Sequence, residues 1–180
     1  KISFTGSVET GRIIHRAAAE KLIPVTLELG GKSPMIVMED ADLERAIAGA
    51  VTGMRFTRQG QSCTAASRIL VHRSLHDTFV ERLAAQVDTM VMGDPLDEAT
   101  DIGTIVSPAQ FERVKTYVEK ARSVDGATVR ECSNLPSDKA LTDGLFVRPA
   151  LISGLPNSHA VCQEEIFGPV TCVIPFETYE

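Results

Sequence analysis

Strand-like segments alternate with amphipathic helical segments along this chain, and that alternation restricts the fold more than any other feature. Residues 34–38 are apolar at every position, which is typical of a strand in a sheet covered on both faces. Asp40 is the predicted cap of the next helix, whose apolar residues recur at helical spacing: Leu43, Ala46, Ile47, Ala50, Val51 and Met54. The pattern predicts an α/β fold with a largely parallel sheet.

Similar units precede and follow this one. The other predicted strands are residues 1–4, 24–29, 68–72, 127–131 and 173–177. A turn is predicted at 5–7, a helix over 8–21, and a polar surface loop over 134–144. Two more helices are predicted from capping boxes, one led by Ser74 and one by Ser107, with Pro108 at the first helical position of the second.

The overall charge limits the classes of partner. The chain has 180 residues and a formal charge of -6, from 24 acidic and 18 basic residues. Nucleic acids and anionic membranes attract basic faces, so we expect neither as a partner. No apolar run approaches the ~20 residues that span a bilayer, and no signal peptide is visible.

The four cysteines, Cys63, Cys132, Cys162 and Cys172, form no C-x-x-C pair. No histidine stands at metal-ligand spacing from them, so no metal site is predicted. A chain of this size buries a core without a disulfide framework. We therefore expect reduced thiols and a cytoplasmic location.

Both ends of the chain resemble cuts through a larger protein. Lys1 opens directly into an apolar stretch, and residues 173–177 resemble a strand close to its end. We expect the chain to be an internal piece of a longer protein. Gly30 and Gly31 separate two predicted strands and mark the candidate domain boundary.

Cys63 is the first candidate for chemistry. Gly60 permits an unusual backbone angle before it, and the small residues after it leave room for a substrate carbonyl. A nearby backbone N–H could donate to a developing oxyanion. Taken alone, the local sequence favours a small buried hydrophobic residue at this position, and it offers no histidine to serve as a base.

Three further segments carry candidate residues. Glu28 alternates with leucines on a predicted strand, which suits either a solvated glutamate or a general base. Gly6, Ser7 and Gly11 can form an anion-binding turn or an ordinary helix cap. The segment from 164 to 170 contains Glu165 and Phe167, and by itself reads as a helix end followed by a strand.

Together these segments resemble the aldehyde dehydrogenase superfamily. Residues 27–34 match the glutamate signature of that family, and residues 56–67 fit its cysteine signature. Residues 4–7 with Gly11 resemble its phosphate-binding turn, and residues 165–170 resemble its late cofactor motif. The four segments occur in the order and spacing of the family, over nearly the whole chain.

The resemblance implies an NAD(P)-dependent oxidation of an aldehyde to a carboxylic acid. Cys63 would be the nucleophile, forming a thiohemiacetal and then a thioester, and Glu28 the general base that activates water. The cofactor, NAD or NADP, would be bound by these residues: Ser7 at the pyrophosphate with Gly6 and Gly11, the Leu29 backbone at the carboxamide, Glu165 at the ribose, and Phe167 beside the nicotinamide.

The resemblance also implies a division of the chain. Residues 1–30 would end a Rossmann-like nucleotide-binding domain, and residues 31–180 would form a truncated catalytic domain. The full-length protein would act on a small-molecule aldehyde as a homodimer or homotetramer, and the isolated piece would be inactive. Arg58 stands where many relatives have asparagine.

Three other functions stay open on the sequence. A cysteine-dependent esterase or acyl transferase would use Cys63 and Glu28 without a nicotinamide. A relative that transfers the acyl group to coenzyme A would not need Glu28. A non-enzymatic scaffold with an enzyme's fold would need neither residue.

Overall fold

The computed structural model describes residues 1–178 and consists of two compact units, the first comprising Lys1–Gly31 and the second beginning at Lys32. The elements of the first unit are β1 (Ile2–Gly6), α1 (Val8–Ala19) and β2 (Val25–Leu29). Those of the second are β3 (Pro34–Val37), α2 (Leu43–Met54), β4 (Arg68–His72), α3 (Arg73–Asp88), α4 (Pro108–Arg122), β5 (Thr128–Glu131), β6 (Ala150–Ser153), α5 (Ala160–Gln163) and β7 (Val170–Phe176).

The first unit is a parallel strand pair joined by a helix. β1 pairs with β2 over its whole length, so that Thr5 lies opposite Glu28 and Gly6 opposite Leu29. The predicted turn at 5–7 is therefore wrong for its first two residues, because their pairing with β2 extends the strand. Only Ser7 lies outside β1, where it caps α1.

Helix α1 ends two residues before the predicted boundary. The Lys21 N–H donates to the Ala18 carbonyl and the Leu22 N–H to that of Ala19, which tightens the last turn. Leu22 then takes a left-handed conformation with φ 52, and the chain turns into β2. Apolar spacing alone does not detect such a tightened end.

The second unit contains a five-stranded sheet in the order β3-β4-β7-β6-β5. Four of these strands are parallel, and β5 pairs antiparallel with β6 at one edge. The prediction of an α/β fold with a largely parallel sheet is confirmed. Strand β6 was not predicted, since its four residues lie close behind a polar loop.

Helices cover both faces of this sheet. Alternate strand residues enter separate cores, as the two-residue period of a strand requires. Ile69, Val71 and Val173 pack with residues of α2 and α3. Cys172 and Ile174 pack with residues of α4 and α5 on the opposite face.

Strand β3 differs from its predicted environment. The sequence suggests burial on both faces, but β3 is an edge strand, and the Ile36 side chain is 61% exposed. Within this unit, only alternate positions of β3 face a helix layer, and Val37 is the buried one. The run of apolar residues correctly predicted a strand here, but it wrongly predicted that both faces of that strand are buried.

Two predicted helix caps are wrong. Asp42, not Asp40, accepts a hydrogen bond from the Arg45 N–H and caps α2, because it directly precedes the first helical residue. His72, not Ser74, caps α3 with its ring nitrogen. In contrast, Ser107 caps α4 as predicted and accepts from the Gln110 N–H.

Two kinds of feature are absent from the described residues. None of the helices within residues 1–178 is long and apolar enough to cross a membrane. Within the same range, no group of three or more His, Cys, Asp or Glu side chains could hold a metal ion.

The corrected cap of α2 gives a matched test. We expect Asp42→Ala to lower the free energy of unfolding by about 1 kcal/mol, because it removes the acceptor of an N-terminal N–H. Asp40→Ala should change stability by no more than about 0.5 kcal/mol, as is usual for an exposed surface position. Chemical denaturation of both variants beside the parent protein measures the difference, and equal losses would argue against Asp42 as the cap.

Candidate active site

Cys63 lies in a tight loop that leads into β4. The loop begins with a 3-10 turn over Phe56–Arg58, flanked by left-handed residues at Arg55 and Gln59. Its backbone is closed by short-range bonds, including Gly60 N–H to the Arg55 carbonyl at 3.0 Å. Cys63 is exposed, so the reading of this residue as a buried hydrophobic side chain is wrong for this unit.

Cys63 stands in the sequence between two small hydroxyl residues, Ser62 and Thr64. The hydroxyls of Ser62 and Thr64 are hydrogen-bonded at 3.1 Å, and the Thr64 N–H donates to Ser62 Oγ at 3.4 Å. Across residues 1–178, no backbone or side-chain acceptor takes the Cys63 N–H. That N–H is therefore available to donate to the oxyanion that forms when the sulfur attacks a carbonyl carbon.

The cysteine loop lies against the segment that carries Glu165 and Phe167. Gly60 has φ 62, and a Cβ placed on it would lie 2.1 Å from the Gly168 carbonyl oxygen. Only glycine accepts both the left-handed backbone and this approach. The contact brings together two candidate motifs about 100 positions apart in the chain.

Parallel pairing explains why these motifs meet. Cys63 precedes β4 and Glu165 precedes β7, and these strands are parallel neighbours with Arg68 opposite Cys172. Segments that enter parallel neighbouring strands arrive at the same edge of the sheet. Across that edge, the Thr171 hydroxyl donates to the Ala66 carbonyl at 3.2 Å.

Helix α4 holds the backbone of the second motif. The Gln110 side-chain amide donates to the carbonyls of Ile166 and Phe167, each at 2.8 Å. Arg113 donates to the Glu165 carbonyl at 2.7 Å. Phe167 itself has a left-handed backbone, with φ 59.

Sequence reasoning missed Gln110 and Arg113. It treated Gln110 as part of a capping box, but the amide reaches the Glu165–Phe167 motif and its bonds are to carbonyls 56 and 57 residues away. The available signal was the spacing: polar residues at 110, 113 and 117 share one face of a helix with buried Val114.

A further bond anchors the cysteine loop. Gln61 Oε1 accepts from the Val106 N–H at 3.0 Å, just before α4 begins. The cysteine loop, the approach to α4 and the Glu165–Phe167 segment are thus connected to one another. Their connections are mainly backbone contacts and neutral hydrogen bonds.

The remaining cysteines are buried and have no comparable access. Burial raises the pKa of the Cys132 thiol to about 11. A hydrogen bond between the Cys162 and Cys172 thiols lowers the pKa of the first and raises that of the second. Burial also lowers the pKa of nearby Lys32, whose Nζ has no hydrogen-bond partner within the described part of the chain.

The other candidate residues lie in the first unit. Glu28 is exposed on β2 between the half-buried Leu27 and Leu29, as the alternation predicted. Ser7 Oγ accepts from the Thr10 N–H at 3.2 Å and is exposed at the start of α1.

The two glycines of this unit differ in their surroundings. Gly6 is the last residue of β1, directly before the cap of α1. Gly11 is buried, and a Cβ there would lie 2.7 Å from Leu29 Cδ2, so this glycine permits α1 to pack closely on β2. The roles of the first-unit residues toward a cofactor, and of Glu28 toward Cys63, stay predictions.

The chain matches the family model described as aldehyde dehydrogenase family over residues 1–180. It belongs to the aldehyde dehydrogenase family. A betaine aldehyde dehydrogenase of Cereibacter sphaeroides is 44% identical over 180 residues, and one of Rhizobium johnstonii is 43% identical over 177 residues. These alignments cover 100% and 98% of this chain but only 36% of each relative, so the chain spans about a third of their length.

Solved aldehyde dehydrogenase structures show the same fold. The NAD+ complex of aldehyde dehydrogenase from Bacillus cereus aligns with TM-score 0.90 and 42% identity, over 99% of this chain and 35% of that one. Betaine aldehyde dehydrogenase from Staphylococcus aureus in complex with NAD+ aligns with TM-score 0.91 and 38% identity, over 98% and 35%. The family resemblance inferred from the motifs is confirmed.

The exposure of the cysteines predicts their labelling. In native protein, a thiol-reactive alkylating reagent should modify Cys63 well before the three buried cysteines, because access to the sulfur controls the rate. After denaturation all four should react. Peptide mapping by mass spectrometry identifies the labelled positions, and labelling of Cys162 as fast as Cys63 would contradict the burial described here.

Proposed function

We propose that the whole protein containing this segment oxidises an aldehyde to a carboxylic acid and transfers hydride to NAD or NADP. One observation carries the proposal. An exposed cysteine with an available backbone N–H lies in a loop that contacts the Glu165–Phe167 segment through Gly60 and Gly168. Membership of the aldehyde dehydrogenase family supports the reaction class.

The proposed chemistry begins at the Cys63 sulfur. The thiolate attacks the aldehyde carbon and forms a thiohemiacetal, since sulfur is nucleophilic near neutral pH. The Cys63 N–H donates to the resulting oxyanion and stabilises it. A nicotinamide bound beside Cys63 would supply the oxidising power as the hydride acceptor, and Cys63 would then carry the acyl group as a thioester.

Glu28 is the proposed general base for the second half of the reaction. Its carboxylate takes a proton from water as the water oxygen attacks the thioester carbon; the C–S bond breaks, which releases the acid and regenerates the Cys63 thiolate, and Glu28 then returns its proton to solvent. The alternation of β2 supports this role, because the carboxylate points away from the packed leucines.

The chemistry of the donor set fits a dinucleotide. In the first unit, the Ser7 hydroxyl and the N-terminus of α1 suit a pyrophosphate, with Gly6 before them and Gly11 packed behind. The Leu29 backbone is proposed to contact the carboxamide. In the second unit, the Glu165 carboxylate suits ribose hydroxyls and the half-buried Phe167 ring suits the nicotinamide face.

Betaine aldehyde is the first substrate to test, because the curated relatives described above are betaine aldehyde dehydrogenases. A panel of aldehydes of different charge should accompany it. Assembly as a homodimer or homotetramer belongs to the same proposal for the whole protein.

Two substitutions should separate the steps. Cys63→Ser should abolish both reduction of the nicotinamide and covalent acyl-enzyme formation. Glu28→Gln should permit the first hydride transfer but slow acid release by about 10²-fold, because the base acts after that step. Rapid-mixing absorbance at the reduced-nicotinamide band, with mass spectrometry of the trapped acyl-enzyme, measures both effects.

The matched control is Glu20→Gln, which changes an exposed glutamate of the same unit at the end of α1. It should leave both steps unchanged. Two outcomes would reject the proposal: acid release without nicotinamide reduction indicates an esterase, and an acyl-coenzyme A product indicates transfer to coenzyme A.

The isolated 180-residue chain should show little or no aldehyde oxidation, because it comprises about a third of the length of its relatives. Calorimetry with NAD and with NADP tests the associated binding prediction. We expect no binding tighter than about 1 mM, equivalent to about -4.1 kcal/mol. Micromolar binding would show that this segment alone contains most of the dinucleotide site.

A further inference from the structure

One face of helix α4 contacts the Glu165–Phe167 segment residue by residue. Gln110 binds the carbonyls of Ile166 and Phe167, and Arg113 binds that of Glu165. These contacts run in the opposite direction to the helix, so that later helix residues meet earlier residues of the segment.

The same face continues on both sides of these bonds. The Tyr117 hydroxyl donates to the Glu164 carboxylate. Val114 packs so closely that a Cβ placed on Gly168 would lie 2.4 Å from Val114 Cγ2. With Gln110 and Arg113, these residues occupy positions i, i+3, i+4 and i+7 of the helix, which share one face.

The backbone that they hold is an unusual one. Phe167 has φ 59, a conformation that a bulky residue adopts only where its surroundings impose it. A glutamine amide has two N–H donors, and the amide of Gln110 donates to the carbonyl of the peptide unit before the Phe167 Cα and to that of the peptide unit after it. Both N–H groups of the Gln110 amide therefore hold the backbone on either side of the Phe167 Cα.

Arg113 is itself held in place. Its guanidinium carbon lies 5.1 Å from the centre of the Tyr117 ring, and the Lys120 ammonium lies 4.9 Å from the same ring. Arg113 also donates to the Tyr117 hydroxyl at 3.3 Å. These contacts restrict the guanidinium that binds the Glu165 carbonyl, so the bond does not depend on a freely moving side chain.

We propose that Gln110 and Arg113 are positioning residues for the dinucleotide site. Acting through the main-chain carbonyls of residues 165–167, they set the direction of the Glu165 carboxylate and of the Phe167 ring. This inference rests on the proposed function, in which those two side chains contact the nicotinamide half of the cofactor. It adds a role for α4 that the sequence motifs do not include.

The test uses the full-length enzyme with Gln110→Ala, Gln110→Glu, Arg113→Ala and Arg113→Lys. The control is Lys115→Ala, which alters an exposed residue of the same helix that pairs with Glu112. Three quantities are measured: KM for the dinucleotide, kcat for aldehyde oxidation, and hydrolysis of p-nitrophenyl acetate. Under the proposed function, the last reaction uses the Cys63 thiol and needs no dinucleotide.

Loss of the two Gln110 bonds should raise KM for the dinucleotide about tenfold. Gln110→Glu should be at least as impaired, since a carboxylate cannot donate to either carbonyl. Arg113→Lys retains a donor and should keep a KM within about threefold of the parent enzyme, whereas Arg113→Ala should not. Ester hydrolysis should stay within about twofold in every variant, because the cysteine loop has its own hydrogen bonds.

Two results would overturn the proposal. One is an unchanged KM and kcat in Gln110→Glu and Arg113→Ala. The other is an equal fall of ester hydrolysis and aldehyde oxidation, which indicates general loss of structure. Thermal denaturation identifies any variant that fails to fold. If a Gln110 variant fails to fold, the KM for the dinucleotide in Arg113→Lys is compared with that in Arg113→Ala.

Hydrogen exchange separates this proposal from the proposed function. If the parent enzyme reduces neither NAD nor NADP, the proposed function fails, but the amides of residues 164–168 still report on the positioning. They should exchange faster in Gln110→Ala than in Lys115→Ala. Equal exchange in these two variants would overturn the inference whatever the activity of the enzyme.

Discussion

Parallel pairing of β4 with β7 is the constraint on which the candidate active site depends. Cys63 and Glu165 each precede one of these strands, so the register that places Arg68 opposite Cys172 also brings their loops to one edge. Backbone contact between Gly60 and Gly168 then leaves no room for a side chain at the first of these positions. The spacing of the two motifs is thus determined by sheet register and main-chain packing.

Helix α4 is connected to both loops. Near its start it binds the Ile166 and Phe167 carbonyls through Gln110, and the segment before it binds Gln61 through the Val106 N–H. Because α4 also packs its apolar face on the sheet, movement of the helix would disturb both loops together. Through these polar contacts, the packing of α4 on the sheet affects the positions of the cysteine loop and of the Glu165–Phe167 segment.

The sequence predicted those features that depend on local pattern, and it failed where a partner far along the chain decides. Periodicity located α2 and β4 with their full extents, and four spaced motifs identified the family. The extension of β1 through Gly6 required its pairing with β2. The local pattern suggested only a capping role for Gln110. The acceptors of its side chain could not be predicted, because they lie more than fifty residues away in the sequence. Which of two nearby aspartates caps α2 depends on a two-residue difference in where the helix starts, since Asp42 rather than Asp40 directly precedes Leu43.

The division of the cysteines follows from the same architecture and bears on how Cys63 gains its reactivity. Cys172 faces a helix layer from the centre of the sheet, while Cys63 precedes a strand and stays exposed. Such a thiol has no histidine in its own loop, so its chemistry depends on what the loop is packed against. Here that neighbour is the Glu165–Phe167 segment, which meets the cysteine loop through the Gly60–Gly168 backbone contact and is held on its other side by Gln110 and Arg113. For the proposed hydride transfer this matters, since a displacement of about 1 Å between reacting groups is enough to slow such steps severely.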